Sequence, residues 1–500
     1  MQRSDSRFQW TAGMIPSSFL RLGSQTSRSL KLLALAFVVG AATLLSTATS
    51  HAQEPKTAVE SGHPPHLVVF LADDYSFLDS ESEGAKDVST PNLTKLAAAG
   101  MTFSHAFVAS PSCAPSRAAL LTGLTPAHNG AQVNHSKPGS AIKKLPAYLK
   151  EIGYEVVSFG KVSHYKHTAD YGFDHFEHDT FHDPEGIPSA IRWLKQRKSE
   201  KPLCIFVGSN WPHVPWPAPP ADADLSKAEL PPSQADTPET RRARFAYATA
   251  VKRMDDELGQ VMTTVKETLG TQVAFMMTSD HGAQFPFGKW NCYDAGIRVP
   301  MVVSWPGVIA PGSRVDAMVS WVDILPTLVD LGGGKPPPVR NMANWELATD
   351  VEGIDGRSFA PVLRGQTKVA RDRILTTHSA DGKMNNYPMR SIRTQEWKLI
   401  QNLTPEANYT THIDLAPKGN GTGYWGGFWE TWEKAAETDP AIAAKVNRYH
   451  HRPAVELYDL VNDPFELNNL AADPAQAERV KTLRAELDDW RRDQRELMRP

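Results

Sequence analysis

The chain has 500 residues, 41% of them hydrophobic and 22% charged, with a formal net charge of −3. This ordinary globular balance excludes wholesale disorder, and the small net charge excludes a global basic field that would recruit nucleic acid or an anionic membrane. Any anion-binding site must be a local cluster of cations, and three cysteines, Cys113, Cys204 and Cys292, are too few and too widely spaced for a disulfide scaffold or a zinc site.

From the N-terminus, Arg21, Arg28 and Lys31 precede an apolar run over residues 32–45, and small residues end at Thr49-Ser50-His51-Ala52. The run is short for a bilayer span and reads as the core of a signal peptide covering 1–52, with Met14 as an alternative start. The expected destination is the periplasm or the medium, with no membrane attachment after cleavage. Short runs rich in Val, Ile and Phe follow at 67–71, 155–159, 203–207, 273–278 and 300–305. Apolar on both faces, they predict buried strands of a parallel sheet. Between them lie amphipathic helix candidates, one opening with Thr90 as N-cap and Pro91 in its first turn, others over 242–269 and 321–331. The alternation predicts an α/β fold with a sheet covered on both sides. Near residue 365 the pattern changes: strand-like runs within 389–400 and 456–460, then a charged helix over 475–498, predict a smaller α+β subdomain. The expected division is a catalytic domain over 64–365 and a C-terminal subdomain over 366–500.

In open α/β sheets ligands bind beyond the carboxyl ends of the strands. The first candidate strand runs into Asp73-Asp74, the second into Lys161 and His164, the third into Asn210 and His213, and the fourth into Asp280-His281 with Lys289 beyond. Each residue alone reads equally well as a loop charge or a helix cap, and His213 as packing among Trp211, Pro212 and Trp216. Their convergence on one edge is the signal. Three carboxylates held together favour a hard cation, calcium or magnesium, while lysines and histidines favour an anion. The combination fits a phosphate or sulfate ester.

The sharpest motif is Cys113-Ala114-Pro115-Ser116-Arg117, leading into Leu120-Leu121-Thr122-Gly123. A residue at a helix start meets free N–H groups and the positive end of the dipole. Taken with Asp73-Asp74, Gly160-Lys161 and Asp280-His281-Gly282 in that order, the motif resembles the type I sulfatases of the alkaline phosphatase superfamily. The resemblance implies an alkaline-phosphatase-like α/β/α sandwich with a mostly parallel central sheet. It also implies that a formylglycine-generating enzyme oxidises Cys113 to Cα-formylglycine (3-oxoalanine), whose hydrate is the nucleophile. By the same resemblance Asp73, Asp74, Asp280, His281 and residue 113 hold one Ca2+, with Mg2+ as the alternative. His281 stands where many relatives have asparagine. Arg117 is then expected to steady the nucleophile and the carboxylates, Lys161, His213 and Lys289 to grip sulfate oxygens, and His164 to donate or accept a proton.

Segments 386–390, 397–403 and 456–460 resemble the N-sulfoglucosamine sulfohydrolase branch of that family, which implies a sulfated saccharide as substrate. Lys289 stands where that branch has arginine. Two enzymatic alternatives remain, a carbohydrate O-sulfatase and a phosphodiester or phosphonate monoester hydrolase, beside a non-enzymatic one, a sulfated-glycan-binding protein with unmatured Cys113. The aromatic tract 424–432 reads as a saccharide platform or as a hydrophobic cluster. His378 is a candidate for the mouth of the site, and Cys204 and Cys292 read as packed core residues.

Overall fold

The computed structural model describes residues 64–180, 182–340, 353–415 and 427–495, so the export-signal segment lies outside the described residues. The strands of the first sheet are β1 (His66–Ala72), β2 (Met101–Phe107), β3 (Glu155–Gly160), β4 (His175–Glu177), β5 (Leu203–Gly208), β6 (Val273–Ser279), β7 (Arg298–Ser304) and β8 (Ser313–Ser320). They are ordered β4-β3-β5-β1-β6-β7-β2-β8. Helices cover both faces. The side chains of β1 alternate between them: Val68, Phe70 and Ala72 pack with Tyr247, Val251 and Met254 of the long helix Pro238–Leu269. Leu67, Val69 and Leu71 share the opposite core with Leu120 and Leu121 of helix Cys113–Thr122 and with Ile324 and Leu325 of helix Ile324–Leu331. Burial on both sides, at roughly 1.5–3 kcal/mol per large apolar side chain, explains why the strand reads as an unbroken apolar run.

The sequence reading placed 300–305 in a parallel strand, and this requires correction: β7 runs antiparallel to both β6 and β2. The connection from β6 to β7 stays on the carboxyl edge instead of crossing back over the sheet, so β7 must return in the opposite sense. An interior strand buried on both faces looks equally apolar in either direction. Polar Thr102, Ser104 and His105 hid β2, and the half-exposed first residues of edge strand β8 hid that strand.

The expected helix starts need refinement. Thr90 precedes helix Pro91–Ala99 but makes no side-chain cap. The helix start is instead held by Asp255, whose carboxylate accepts from Asn92 N at 3.0 Å and Leu93 N at 2.8 Å. The long helix begins at Pro238, where the Thr237 side chain accepts from Thr240 N. The segment expected as a helix over 321–331 opens with the 3-10 turn Trp321–Asp323, fixed by a capping box between Ser320 and Asp323.

A second sheet, antiparallel and ordered β12-β11-β10-β9, is built from β9 (Ile374–His378), β10 (Met389–Arg393), β11 (Trp397–Asn402) and β12 (Val455–Asp459). One face packs on Leu483, Leu487 and Trp490 of helix Ala477–Asp493. Met389, Ile400 and Tyr458 join the larger core beside Trp290 and Tyr409. Phe428, Trp429 and Trp432 are buried in that core, which favours the cluster reading for this end of the aromatic tract; residues 424–426 lie outside the described ones. A buried ionic knot ties the second sheet to the β6–β7 connection. Asp294 receives Arg393 at 3.0 Å and Lys398 at 2.5 Å, and Lys398 also reaches Glu466 at 2.7 Å. Burial opposes the Asp294 charge, but Arg393 and Lys398 hold its carboxyl far below the usual range.

Candidate active site

Five strand ends carry the candidate residues. β1 leads into Asp73 and Asp74, β3 into Lys161, β5 into His213, and β6 into Asp280 and His281, while β2 feeds the segment that carries Cys113. Asp73, Asp74, Cys113, Asp280 and His281 are all buried, and each offers a donor atom within 4.8 Å of the others. Asp74 sits at φ +67, a left-handed conformation that aspartate tolerates, and its N–H donates to Asp280 Oδ1 at 3.0 Å. The close backbone approach in the β6–β7 connection needs glycine at 282, where a Cβ would lie 1.8 Å from the Ala295 carbonyl oxygen.

Cys113 is the first residue of its helix, and Gly123 ends that helix at φ +67 with its N–H on the Ala119 carbonyl. The four-residue spacing puts Arg117 one turn on, over the same face as Cys113. Arg117 Nε donates to Asp280 Oδ2 at 2.9 Å, NH2 donates to Asp73 Oδ1 at 3.1 Å, and NH1 reaches the Lys161 carbonyl. Ser116 Oγ donates to the Asp280 carbonyl at 2.7 Å. Cys113 Sγ lies 3.1 Å from His281 Nε2, and His281 Nδ1 donates to the Gly282 carbonyl at 3.0 Å. Lys161 pairs with Asp73, and Lys289 Nζ with both oxygens of Asp74 at 2.9 and 2.8 Å. His213 donates from Nδ1 to the Val214 carbonyl and places Nε2 3.9 Å from Asp74 Oδ2.

The electrostatics divide these groups. Burial opposes ionisation of Asp73, yet Lys161, His213 and Arg117 keep it well below the carboxylate range. Asp74 is held above that range, first by burial and then by the charges of Asp73 and Asp280, despite the pull of Lys289 and His281. Burial would also strip the proton from His281, but Asp280, Cys113 and Asp74 raise it to about 9. A buried acid carrying excess negative neighbours, next to an imidazole that holds a proton in their midst, is a donor set that a divalent cation would relieve. The residues therefore fit a hard metal ion. His213 and His164 are pushed far down, mainly by burial and next by Lys289 at the first and Lys161 at the second, so both are neutral.

His164 is not in direct hydrogen-bond contact with the acidic cluster. Its Nε2 meets His135 Nδ1 at 2.7 Å. His378 lies deep in the second sheet, bonded through Nε2 to Asn385 Oδ1 at 2.6 Å and buried, which is not a mouth position. Cys204 and Cys292 are buried free thiols, and burial pushes Cys292 up to about 12, so both are core. Sequence reasoning did not find Asn134, His135, Tyr165, His182 or Asp381. Asn134 Oδ1 accepts from Ala114 N at 3.0 Å, next to Cys113, and Tyr165 and His182 feel the charges of Lys161, Lys289 and Asp73. None sits in a motif; the one available hint was the density of histidines in 164–182.

The sulfatase family model matches residues 65–334, and the model described as N-sulphoglucosamine sulphohydrolase, C-terminal, matches 281–418. An ulvan-active sulfatase of Formosa agariphila is 30% identical over 87% of this chain and 81% of its own length. The human N-sulphoglucosamine sulphohydrolase is 26% identical over 85% of this chain and 90% of its own. Among solved structures, the phosphonate monoester hydrolase of Agrobacterium radiobacter shares the fold at TM-score 0.63 and 18% identity, covering 86% of this chain and 96% of that one. The match over more than half of the chain, on a mostly parallel sheet with the motif residues at its carboxyl edge, establishes that this protein belongs to the sulfatase family of hydrolases.

Proposed function

We propose that the protein releases inorganic sulfate from a sulfated saccharide, using residue 113 in its formylglycine form and one bound calcium ion. The observation that carries this reading is the placement of Cys113 at a helix start, 3.1 Å from His281 Nε2 and inside the buried Asp73–Asp74–Asp280 cluster. Asp73, Asp74, Asp280 and His281 would hold the ion. Together the two groups would supply a polarised aldehyde hydrate, an oxygen nucleophile whose new bond to sulfur replaces the ester or sulfamate bond as the protonated alcohol or amine leaves, and which would later release sulfate by re-forming the aldehyde. The chain's own residues do the rest. Arg117 fixes two of the carboxylates, so the cluster cannot spread. Lys161 and Lys289 set positive charge on either side of it, where charge on sulfate oxygens grows. Neutral His213 spends its one ring hydrogen on the Val214 carbonyl, so Nε2 can accept from a substrate donor as it stands, and it could donate to a sulfate oxygen only by giving up the Val214 bond or gaining a second proton.

Charge balance supports a monoanionic substrate. With His281 neutral, as a metal ligand would have to be, three carboxylates, Asp73, Asp74 and Asp280, face three cations, Arg117, Lys161 and Lys289. A divalent ion then leaves two positive charges, matched by an ionised nucleophile and a singly charged ester. A sulfate monoester or sulfamate meets that requirement and a phosphate monoester dianion overshoots it. A phosphodiester meets it equally, which is the specific reason to keep the phosphodiester or phosphonate monoester hydrolase as a second reading.

The similarity to the human N-sulphoglucosamine sulphohydrolase favours an N-sulfate; that to the ulvan-active sulfatase, named for a different substrate, keeps the carbohydrate O-sulfatase reading open. The experiment is to produce the chain with a formylglycine-generating enzyme, weigh the peptide carrying residue 113, and assay sulfate release from glucosamine N-sulfate and glucosamine 6-O-sulfate beside phosphodiester release. A matured residue 113 with sulfate release from either sugar supports the reading. An intact thiol in every preparation, with sugar binding alone, would establish the glycan-binding alternative instead.

A further inference from the structure

Outside the acidic cluster, one chain of polar groups runs from the nucleophile segment to the second sheet. His164 Nε2 meets His135 Nδ1 at 2.7 Å, and His135 Nε2 lies 3.2 Å from Asp381 Oδ1. Asp381 follows β9 and is buried, 4% exposed. Its Oδ2 accepts from Trp290 Nε1 at 2.7 Å and from Asn134 Nδ2 at 3.0 Å. Backbone bonds hold the same parts together: Asn134 N donates to the Ala380 carbonyl at 2.9 Å, Thr377 N to Ala109 at 3.0 Å, and Trp290 N to Pro111 at 2.8 Å. His135 adopts φ +66, a conformation costly for a residue with a side chain and one the surroundings must enforce.

When both rings are neutral the shorter contacts of this chain favour one assignment, the competing contact of Asn134 Nδ2 with His135 Nε2 being long at 3.5 Å while Asn134 Nδ2 donates to Asp381 Oδ2 at 3.0 Å. A carboxylate only accepts, so His135 Nε2 carries the hydrogen toward Asp381. His135 Nδ1 is then a lone pair, and His164 must donate to it from Nε2. That leaves His164 Nδ1 bare. Among the described residues this buried nitrogen has no hydrogen-bond partner. The reverse assignment would set a bare His135 nitrogen against the Asp381 carboxylate, two acceptors at 3.2 Å.

We propose that Asp381 and His135 are positioning residues that lock His164 in the tautomer whose free Nδ1 is a proton acceptor, beside the cationic flank of the active site. This rests on the sulfatase reading for what the acceptor serves, namely a proton on the reacting groups at residue 113. It does not rest on that reading for the geometry. The flank is formed by Lys161 and Arg117, whose charges, after burial, oppose protonation of His164 and keep its acceptor open; His135 and His167 add to that opposition. Burial alone would raise the Asp381 carboxyl, but the hydrogen bond from His135 and the nearby His412 hold it below the usual range, so the anchor of the chain stays ionised. An ionised orienting group behind an imidazole fixes both tautomer and ring angle, as a carboxylate does behind a catalytic histidine.

The test has a readout that needs no turnover. Long-range proton–nitrogen spectra of the full chain with labelled histidine, at pH 8 and with His164→Gln and His135→Gln for assignment, report which nitrogen of His164 carries hydrogen. Hydrogen on Nε2 and a bare Nδ1 are expected, with the preference lost in His135→Leu. Hydrogen on Nδ1 in the parent chain overturns the proposal. His135 is half exposed at its side chain, so His135→Leu is expected to fold where substitution of Asp381 risks unpinning Trp290 and Asn134. On the matured enzyme His135→Leu is expected to lower kcat roughly ten- to hundredfold with KM held within about twofold. His135→Gln, whose amide can accept from His164 and donate to Asp381, is expected to recover most of it. Unchanged kcat in His135→Leu refutes the positioning role while leaving the sulfatase reading intact. A parent enzyme with residue 113 matured but no sulfate release refutes that reading, and the spectra still judge the tautomer.

Discussion

Arg117 and Asp280 form a fully buried pair, Nε to Oδ2 at 2.9 Å, with neither side chain exposed to solvent. The guanidinium spans from Asp280 to Asp73, so two strand ends are held by one side chain. Removing one partner of such a pair strands a charge in the interior. Arg117→Met is expected to cost about 3–5 kcal/mol of stability in urea denaturation, the range for breaking a buried ion pair. Arg117→Lys keeps the charge but loses the planar fork, so an intermediate loss is expected. Equal stability of Arg117→Met and the parent would show that the carboxylates do not depend on it.

Asp74 lies above the ordinary carboxylate range because burial and two acidic neighbours oppose its charge. A cation bound by the folded chain alone relieves that penalty and adds stability by mass action. Calcium at a hundred times its dissociation constant is expected to add about 2.7 kcal/mol, read as a higher melting temperature that a chelator reverses. Asp280→Asn is expected to blunt the response. A melting curve indifferent to calcium and magnesium alike would argue against the ion.

Cys113 is buried at the start of its helix, and Cys113→Ala removes one sulfur without inserting bulk. The folded state is expected to change by no more than about 1 kcal/mol. Sulfate release is expected to vanish, since no oxygen nucleophile can be made at that position. Substantial turnover by this variant would assign the nucleophile elsewhere.

His378 is buried in β9, and burial, with Arg390 and Arg452 nearby, lowers it to about 4 despite its bond to Asn385 and the charge of Asp381. In the unfolded chain a histidine takes up its proton near 6.5. Between those values the unfolded state binds more protons, so stability falls as pH drops from 6.5 toward 4, by up to roughly 3 kcal/mol for this one group. His378→Gln is expected to flatten that part of the curve of melting temperature against pH. Superimposable acid limbs for the two proteins would remove His378 from the account.

The amino-acid sequence by itself settled the gross architecture and the chemical identity of the strand ends. Apolar runs this short and this rich in Val, Ile and Phe favour covered strands over buried helices, and polar groups where such runs stop then lie at the sheet edge. The four-residue step from Cys113 to Arg117 is a helical turn, so that pair too is legible in the sequence alone. Tertiary structure alone decided the direction of β7, because a strand buried on both faces carries no directional signal. It also decided that Asp255 caps the helix starting at Pro91, and that Asp381 stands behind His135. Asn134 and Asp381 are 247 positions apart, in segments whose local patterns say only loop. Their meeting follows from docking the second sheet on the first, and hydrogen-bond partners of that kind are chosen by packing over long range, not by the residues beside them in the chain.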